Sequence, residues 1–386
     1  MSWRGCVRSV MVAGCAQAAL VGGASEGSSQ ERCSFGWRVS PSPKVAGFSH
    51  LNGVATVSRS DVWAVGIRAG VDNDVGGPTL AEHWNGKRWT VVGSPSVEKS
   101  DLLAVSAAGP NDVWAVGFQR AIPDSNRGRY PLANARALVE RWKGSSWQTV
   151  PIAAPNGSVL YGVAALSARD VWAVGASRAG TNAEKALVAH WGGRRWQLIS
   201  TPRVTSSSGS VLFDVAALST RDVWAVGSAT AYAQPDEAMA MHWNGRGWRA
   251  TLLPVDESEL TALATISPKH ILAVGSHGLG SSEQGLFEQW DGKSWRIAPN
   301  DHYFYDPLSS VVAAAADDAW AVGGYIDHWD GAQWTYRPTP DLTLDEDWFS
   351  DVAVVARDEA WAVGVQATAQ DGSSGGDARI EHYGCA

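Results

Sequence analysis

Five histidines are the residues of this chain whose type and spacing most suggest chemistry. Each comes directly before a large aromatic residue, and they are His83, His190, His242, His328 and His382. Histidines can bind a metal or transfer protons in a catalytic site. A metal site needs ligands that converge on one ion, whereas these histidines recur at regular intervals along most of the chain. The regular spacing therefore favours a repeated structural role.

An acidic residue accompanies the basic residue in six of these repeated segments. The six predicted pairs are Asp61 with His83, Asp112 with Arg141, Asp170 with His190, Asp222 with His242, Asp318 with His328, and Glu359 with His382. A seventh segment has lost both members together, since it carries His270 and Gln289 at the two positions. Joint loss indicates that the two side chains contact each other. We predict a structural hydrogen bond that fixes a turn in each repeat.

Two acidic segments with aromatic residues are the candidates for ligand binding. The segments are 301–306 and 341–348, and the candidate residues are Tyr303, Tyr305, Asp306, Asp345, Asp347 and Trp348. Aromatic rings that stack on sugars, beside carboxylates that bind hydroxyl groups, would suit a glycan. The same oxygens could instead bind Ca²⁺, but the sequence has no Asp-x-Asp-x-Asp-Gly loop. We expect no metal and no cofactor.

The same carboxylates could alternatively serve a hydrolase. A glycosidase would need two of them, such as Asp306 and Glu346, about 5–9.5 Å apart across a sugar. Two carboxylates that face each other across a central pocket would favour the enzyme, whereas scattered acids over a shallow face would favour binding. A broad apolar patch would favour a scaffold for protein partners. The sequence contains no G-x-S-x-G, H-E-x-x-H or nucleotide-binding motif, so no catalytic residue is predicted.

A repeated strand motif must position all of these residues. Asp-Val-Trp-Ala-Val-Gly is intact at 61–66, 112–117, 170–175 and 222–227, and degraded copies stand at 270–275, 318–323 and 359–364. Each copy lies among short apolar runs separated by turn residues, including a Trp-x-Gly-x-x-Trp hairpin signal. Nineteen of the 21 tryptophans fall in this frame, and we expect them to fill the space between repeats. The pattern predicts an all-β protein, a seven-bladed β-propeller of four-stranded blades.

The seventh repeat lacks a fourth strand at its end, and the segment Phe35–Pro41 resembles the missing piece. We therefore expect the N-terminal strand to pair with the C-terminal blade and close the ring. Cys33 and Cys385 would then lie side by side, and we predict a disulfide between them. The predicted domain covers residues 33–386.

The N-terminal segment and the net charge limit the functional classes. Residues 1–24, with Arg4 and Arg8 before a short apolar run, have the pattern of a signal peptide, and 25–32 form a polar spacer. We expect a secreted protein, with lipid anchoring at Cys15 as the alternative. The net charge of −8 without a basic run argues against nucleic acid as a partner. We expect no membrane span and a monomer.

The motif resembles a known type of protein, the tryptophan-rich, secreted DVWAVG-repeat propellers common in actinobacteria, within the kelch-like and galactose-oxidase central-domain class. The Gly pair of true kelch repeats occurs only at Gly323-Gly324. The resemblance implies the propeller fold and no particular activity. Our leading expectation is a secreted, non-catalytic module that binds glycan or cell-wall material through its variable loops. The alternatives are an extracellular hydrolase or lyase and a surface scaffold for proteins.

Overall fold

The computed structural model describes residues 34–68, 77–95, 99–119, 134–179, 181, 184–204, 208–230, 236–278, 282–301, 306–340, 347–367 and 376–385. Phe35–Ala386 form one compact unit. The predicted signal peptide and spacer lie outside the described residues.

The described residues of this unit form 28 strands, arranged as seven four-stranded antiparallel sheets. The first three blades contain β2 (Ser49–Ser58), β3 (Asp61–Arg68), β4 (Thr79–Trp84), β5 (Trp89–Val91); β6 (Ser100–Gly109), β7 (Asp112–Gln119), β8 (Arg136–Trp142), β9 (Trp147–Thr149); and β10 (Val159–Ser167), β11 (Asp170–Ser177), β12 (Lys185–Trp191), β13 (Trp196–Ile199). Blades four and five contain β14 (Gly209–Ser219), β15 (Asp222–Thr230), β16 (Glu237–Trp243), β17 (Trp248–Asp256); and β18 (Ser258–Ser267), β19 (His270–His277), β20 (Gln284–Trp290), β21 (Trp295–Ile297). Blades six and seven contain β22 (Leu308–Ala315), β23 (Asp318–Gly323), β24 (Ile326–Trp329), β25 (Trp334–Tyr336); and β26 (Trp348–Ala356), β27 (Glu359–Ala367), β28 (Gly376–Cys385), β1 (Phe35–Val39).

Blade seven is completed by the N-terminal strand, as the sequence predicts. Its sheet has the order β1-β28-β27-β26, and β1 pairs antiparallel with β28 from Phe35 opposite Cys385 to Val39 opposite Glu381. The fold is therefore a seven-bladed propeller whose ring is closed by strand pairing. Cys33 lies outside the described residues, so the disulfide with Cys385 stays a prediction.

The first strand of every blade contains a β-bulge that the motif glycine makes possible. In blade three the register shifts between Leu160 and Gly162, and Gly175 lies opposite Leu160. A Cβ built on Gly175 would overlap the carbonyl oxygen of Val159 and lie 2.9 Å from Leu160 Cα. The motif glycine of every other blade meets the matching carbonyl in the same way. Glycine at the end of the motif is thus a requirement of close backbone approach.

The hairpins between the third and fourth strands also require glycine, because their backbone takes positive φ. The φ values are 86° at Gly86, 79° at Gly144, 90° at Gly193, 84° at Gly245, 92° at Gly292 and 95° at Gly331. In blades one, four, five and six an Asn or Asp side chain before this glycine accepts two backbone N–H bonds of the turn. These hairpins match the turn signal in the sequence.

Tryptophans fill the contacts between neighbouring blades, as their frame predicts. Trp63 of blade one is 1% exposed and packs against Trp142 and Trp147 of blade two, with ring centroids 4.7 and 5.2 Å away. The same three-ring contact joins Trp114, Trp172, Trp224 and Trp361 to the following blade. Blade five has the smaller Leu272 in this position, in one core with Trp329 and Trp334. Among the described residues, no helix is long and apolar enough to span a membrane.

Candidate functional site

The acid and base of each predicted pair lie within hydrogen-bond distance. His Nε2 contacts Asp Oδ1 at 2.8 Å in the Asp61, Asp222 and Asp318 pairs and at 2.7 Å in the Asp170 pair. Arg141 Nε donates to Asp112 Oδ1 at 2.6 Å, and His382 Nε2 lies 3.4 Å from Glu359 Oε1. His270 and Gln289 also contact each other, at 2.8 Å. Blade five therefore retains the contact with a neutral pair.

Each base also packs on the buried tryptophan of its own second strand. The ring of His190 lies 4.3 Å from that of Trp172, and the Arg141 guanidinium lies 4.5 Å from the Trp114 ring. The pairs are separated into different blades, so no two of them combine into one reaction centre. The acid of each pair stands at the start of a second strand, directly after the tight turn from the first strand. This repeated position supports a structural role rather than chemistry.

Replacing Asp170 by alanine is expected to lower the free energy of unfolding by about 1–3 kcal/mol, because His190 loses its buried partner. Thermal or urea unfolding would measure the change. Asp377→Ala, which removes an exposed carboxylate from blade seven, is the matched control and should leave stability within about 0.5 kcal/mol. Equal unfolding curves for the two variants would contradict a stabilising role for the pair.

The six predicted ligand-binding residues have different positions. Tyr303, Tyr305 and Asp345 lie outside the described residues. Asp306 is exposed and lies just before β22, the first strand of blade six. Trp348 is half-buried and donates its indole N–H to Ser309 Oγ at 2.7 Å. Asp347 is buried, with its side chain 1% exposed.

Asp347 belongs to a buried ion cluster around Arg379. The Arg379 side chain is 1% exposed; it lies 3.4 Å from Asp347 Oδ2, and its Nε donates to Glu381 Oε1 at 2.9 Å. The other Asp347 oxygen accepts the N–H of Ala367 at 2.9 Å. A carboxylate held in this way is fixed inside blade seven and is not presented to a ligand at the surface.

The structure brings together a different set of residues, at the mouth of the central channel. One residue from the start of each first strand lines a cavity of about 330 Å³ on the ring axis. We call these seven half-buried residues the channel mouth: Asn52, Leu103, Tyr161, Phe213, Thr261, Ser309 and Ser350. Because these residues lie near the start of the first strands, they are on the face that carries the connections between blades and between the second and third strands. These connections differ in length from blade to blade, and we call this face the variable face.

The channel mouth has one apolar and one polar side. Leu103, Tyr161 and Phe213 come from blades two, three and four, and the rings of Tyr161 and Phe213 pack 5.5 Å apart. The polar side continues through blades five, six, seven and one. Its hydroxyls are held in place: Thr261 donates to the Leu308 carbonyl at 2.7 Å, and Ser350 Oγ lies 2.7 Å from His50 Nε2.

Below the mouth, two carboxylates line the channel. Asp351 accepts hydrogen bonds from Val54 N at 2.7 Å and from Ser310 Oγ at 2.5 Å, and Asp214 accepts one from Leu263 N at 3.0 Å. Burial raises the pKa of Asp214 to about 7 and that of Asp351 to about 6. Each carboxylate binds the backbone of the next blade, so both join blades in addition to lining the channel.

A second set of carboxylates, on the third strands, was not predicted from the sequence. An acid stands two positions before the third-strand aromatic in five blades, and each is buried: Glu82, Glu140, Glu288, Asp327 and Glu381. Ser42 Oγ donates to Glu82 at 3.0 Å, and Ser94 Oγ donates to Glu140 at 2.5 Å. Burial raises the pKa of Glu82, Glu140 and Glu288 to about 7.

A serine that joins neighbouring blades was also missed, although its signal is in the sequence. It stands twelve positions before the motif in blades one to five: Ser49, Ser100, Ser158, Ser210 and Ser258. Ser49, Ser210 and Ser258 accept the N–H of a third-strand alanine of the preceding blade, at 2.9, 3.3 and 3.1 Å. Blades six and seven carry Asp306 and Asp347 at this position. Two of the three predicted ligand-binding aspartates thus occupy an inter-blade position of the repeat.

No group of three or more His, Cys, Asp or Glu side chains is arranged to hold a metal ion within the part of the chain that the structure describes.

Comparison with known proteins supports the fold. No family model matches the chain, and no curated protein matches its sequence. The chain is similar in structure to YCF48 from Cyanidioschyzon merolae, with a TM-score of 0.58, 14% identity and coverage of 90% of this chain and 99% of the other. It is also similar to the structure of YCF48 bound to D1 peptide, with a TM-score of 0.55, 14% identity and coverage of 90% of this chain and 96% of the other. The WD40 propeller domain of Doa1 gives a TM-score of 0.58, 11% identity and coverage of 90% and 97% of the two chains. At these identities the similarity extends to the propeller fold alone.

Proposed function

We propose that this propeller is a non-catalytic module that binds a polypeptide at its channel mouth. The observation that carries the proposal is the division of the mouth into an apolar side of Leu103, Tyr161 and Phe213 and a polar side of hydroxyl and amide groups. A peptide offers both kinds of surface at once, since its side chains can be apolar while its backbone is polar. The rigid ring would hold the binding groups in place before the partner arrives.

The binding mode follows from the two sides. An apolar or aromatic side chain of the partner would pack against Tyr161 and Phe213, where aromatic contacts favour edge or offset packing. The partner's backbone would bond to the polar side, including the Asn52 amide. That amide is already oriented, because it donates to Asp101 Oδ1 at 2.8 Å and to the Leu102 carbonyl at 2.9 Å.

A propeller of the same shape with a bound peptide supports this choice over the other candidates. YCF48 has been solved with D1 peptide, and we extend only the use of a propeller face for peptide binding to the present chain. The predicted hydrolase would use Asp306 and Glu346, and Glu346 lies outside the described residues. A hydrolase in the channel would instead have to use Asp214 and Asp351. Both already accept bonds from backbone N–H groups of the ring, which favours a binding role.

Glycan binding at the variable face, with secretion of the protein, remains the competing proposal. Half-buried Trp348 would be its aromatic contact, since three of the other five predicted residues lie outside the described part of the chain and Asp347 is in the buried cluster. The indole of Trp348 is fixed by its bond to Ser309, so a sugar could stack on it without reordering the ring.

Selection of peptides from an unbiased display library against the purified full chain tests the proposal. We expect selected peptides to share an apolar position and to lose at least tenfold in affinity, about 1.4 kcal/mol, for Tyr161→Ala and Phe213→Ala. Lys293→Ala, in a hairpin on the opposite face, is the control and should bind as the unchanged protein does. Melting curves would show that each variant is folded.

Two results would overturn the proposal. Selected peptides that bind both mouth variants with unchanged affinity would place the site elsewhere. A glycan-array hit that is lost in Trp348→Ala, together with a blank peptide selection, would replace peptide binding by glycan binding.

A further inference from the structure

The face opposite the variable face carries an excess of basic residues. It contains the tight turns from first to second strands and the hairpins from third to fourth strands, and we call it the hairpin face. The excess is densest in blades three and four, where five exposed arginines form what we call the basic arc: Arg169, Arg194, Arg195, Arg221 and Arg246. The acids in the same turns are the two aspartates already bound to His190 and His242.

The arginines of the basic arc have no acidic partner within the chain, in contrast to those on the other side of the ring. Arg59 of blade one lies 3.1 Å from Asp358 of blade seven, and Arg357 of blade seven bonds to Asp317 of blade six. Among the described residues, none of the five arginines of the basic arc forms an ion pair. Their charge is therefore available to a partner.

Contact with the hairpin glycines orients part of the basic arc. A Cβ built on Gly193 would lie 3.0 Å from Arg169 Cγ, and one built on Gly245 would lie 2.9 Å from Arg221 Cγ. The stems of these two arginines thus lie across the hairpin of their own blade, while the side chains remain exposed. Arg221 and Arg246 also border a depression of about 500 Å³ on the hairpin face.

An acidic patch lies on the variable face, at the boundary between blades four and five. Segments 228–240, 250–262 and 275–286, which come from both blades, contain several acids but no Lys or Arg. We define the acidic patch by five residues that are exposed or half-buried: Asp236, Glu237, Glu257, Glu259 and Glu283.

The carboxylates of the acidic patch are crowded together. Ser258 N donates to the Asp236 carbonyl at 3.0 Å, which joins two of the three segments. Burial, with the nearby charges of Glu283 and Asp236, raises the pKa of Glu259. None of the five forms an ion pair with a described residue, and the described acids are not arranged to hold a metal ion. A cationic protein surface would relieve this repulsion.

The basic arc and the acidic patch are complementary in charge and share one side of the ring. They lie on opposite faces, and blade four contributes to both. A second propeller that is shifted along the ring axis, with little rotation, would place its basic arc over the acidic patch of the first. Guanidinium groups suit this contact because they bind carboxylates through paired N–H bonds.

We propose that the basic arc docks on the acidic patch of a second copy of this chain, so that the propellers stack head to tail. A contact between two different surfaces leaves one of each free in the pair, so the stack can grow. The interface uses none of the channel-mouth residues and does not depend on the function proposed for them. It replaces the monomer that we expected from the sequence.

Sedimentation velocity of the purified full chain would test the proposal. Exposed ion pairs are individually weak, so we expect the mean sedimentation coefficient to rise at protein concentrations on the order of 100 µM and above, in about 20 mM NaCl. In about 500 mM NaCl the charges are screened, and the coefficient should stay that of a single propeller. A constant coefficient in low salt would overturn the proposal.

Charge reversal at each surface locates the contact. Arg194→Glu with Arg246→Glu reverses the basic arc, and Asp236→Lys with Glu283→Lys reverses the acidic patch. Each double variant alone should self-associate at least tenfold more weakly. An equimolar mixture of the two should associate again, because one variant keeps the original acidic patch and the other keeps the original basic arc. A general loss of folding would not be repaired by mixing.

Lys87→Glu with Arg88→Glu is the matched control. These two residues follow the hairpin glycine of blade one, on the same face, and their reversal changes the net charge by the same amount. The control should self-associate as the unchanged protein does, and melting curves would show that all variants are folded. Equal weakening by the control, or no recovery in the mixture, would overturn the proposal.

Discussion

Replacing Gly175 by alanine is expected to lower the free energy of unfolding by about 3 kcal/mol or more and to reduce the yield of folded protein. The added Cβ would overlap the Val159 carbonyl oxygen and press on Leu160 Cα. Both obstacles are backbone atoms, so the strand itself would have to move. Because the bulge places the channel-lining residues of the blade, the displacement should also disturb the region of Tyr161.

Gly192→Ala in the same blade is the matched control. A Cβ at Gly192 would have open space around it, with no atom within 4 Å. Circular dichroism and thermal melting of the two variants would measure the difference. A Gly175→Ala protein that melts together with the Gly192→Ala protein would show that the bulge can relax, and would contradict the close-approach explanation of the motif.

The second large expected effect is a loss of stability as the pH rises from 5 to 8. Burial raises the pKa of Glu82, Glu140 and Glu288 to about 7, and that of Asp101 to about 8. These carboxyl groups bind protons in the folded protein at a pH where the unfolded chain has already released them. Acid therefore favours the folded state, and this contribution is lost as the pH rises through the folded pKa.

His50 opposes this trend. Burial lowers its pKa to about 4, so its contribution to stability is lost on acidification below about 6.5, where the unfolded histidine gains a proton. Burial lowers the pKa of His270 and His382 as well. The carboxyl groups with a raised pKa, which include Asp214 and Asp351, outnumber these three histidines. The melting temperature should thus fall between pH 5 and pH 8.

The variant Glu140→Gln tests how much of the pH dependence of stability comes from Glu140. The variant should match the unchanged protein at pH 5, where Glu140 is protonated, and exceed its stability by about 1–3 kcal/mol at pH 8. Asp377→Asn, at an exposed carboxylate, should change neither value. A pH dependence of the same slope in Glu140→Gln and the unchanged protein would contradict a protonated, buried Glu140.

The fold could be predicted from the sequence because the features that form a blade recur along the chain, the motif seven times and the hairpin glycine six times. The motif, the hairpin glycines and the tryptophan frame predict the blades, and the unmatched strand at Phe35 predicts the closure. The serine before the motif of blades one to five was equally visible, since Ser49, Ser100 and Ser158 share one offset. Its role is not visible, because its partner is a backbone N–H of another blade.

The candidate sites were less predictable, since they depend on contacts between distant segments. In the sequence, Asp347 has acidic neighbours and resembles a residue of a surface loop. Its partner Arg379 lies 32 residues away, in β28. The channel mouth is formed by one residue from each blade, and no local pattern distinguishes those residues from their neighbours. The bulge adds to the difficulty, because it shifts the alternation of inward and outward side chains within the first strand.

Closure by β1 also has a consequence for the order of folding during synthesis. Of the described strands, β1 leaves the ribosome first and pairs with β28, which leaves it last, and the bond from Arg38 Nη1 to the Gly384 carbonyl spans 346 residues. The six other blades can form as their own strands emerge, while the edge of β1 stays unpaired until β28 has been translated. A ribosome-bound chain that ends before β28 would therefore be an open arc with two exposed edges, and such chains are expected to need a chaperone or to be cleared by proteases.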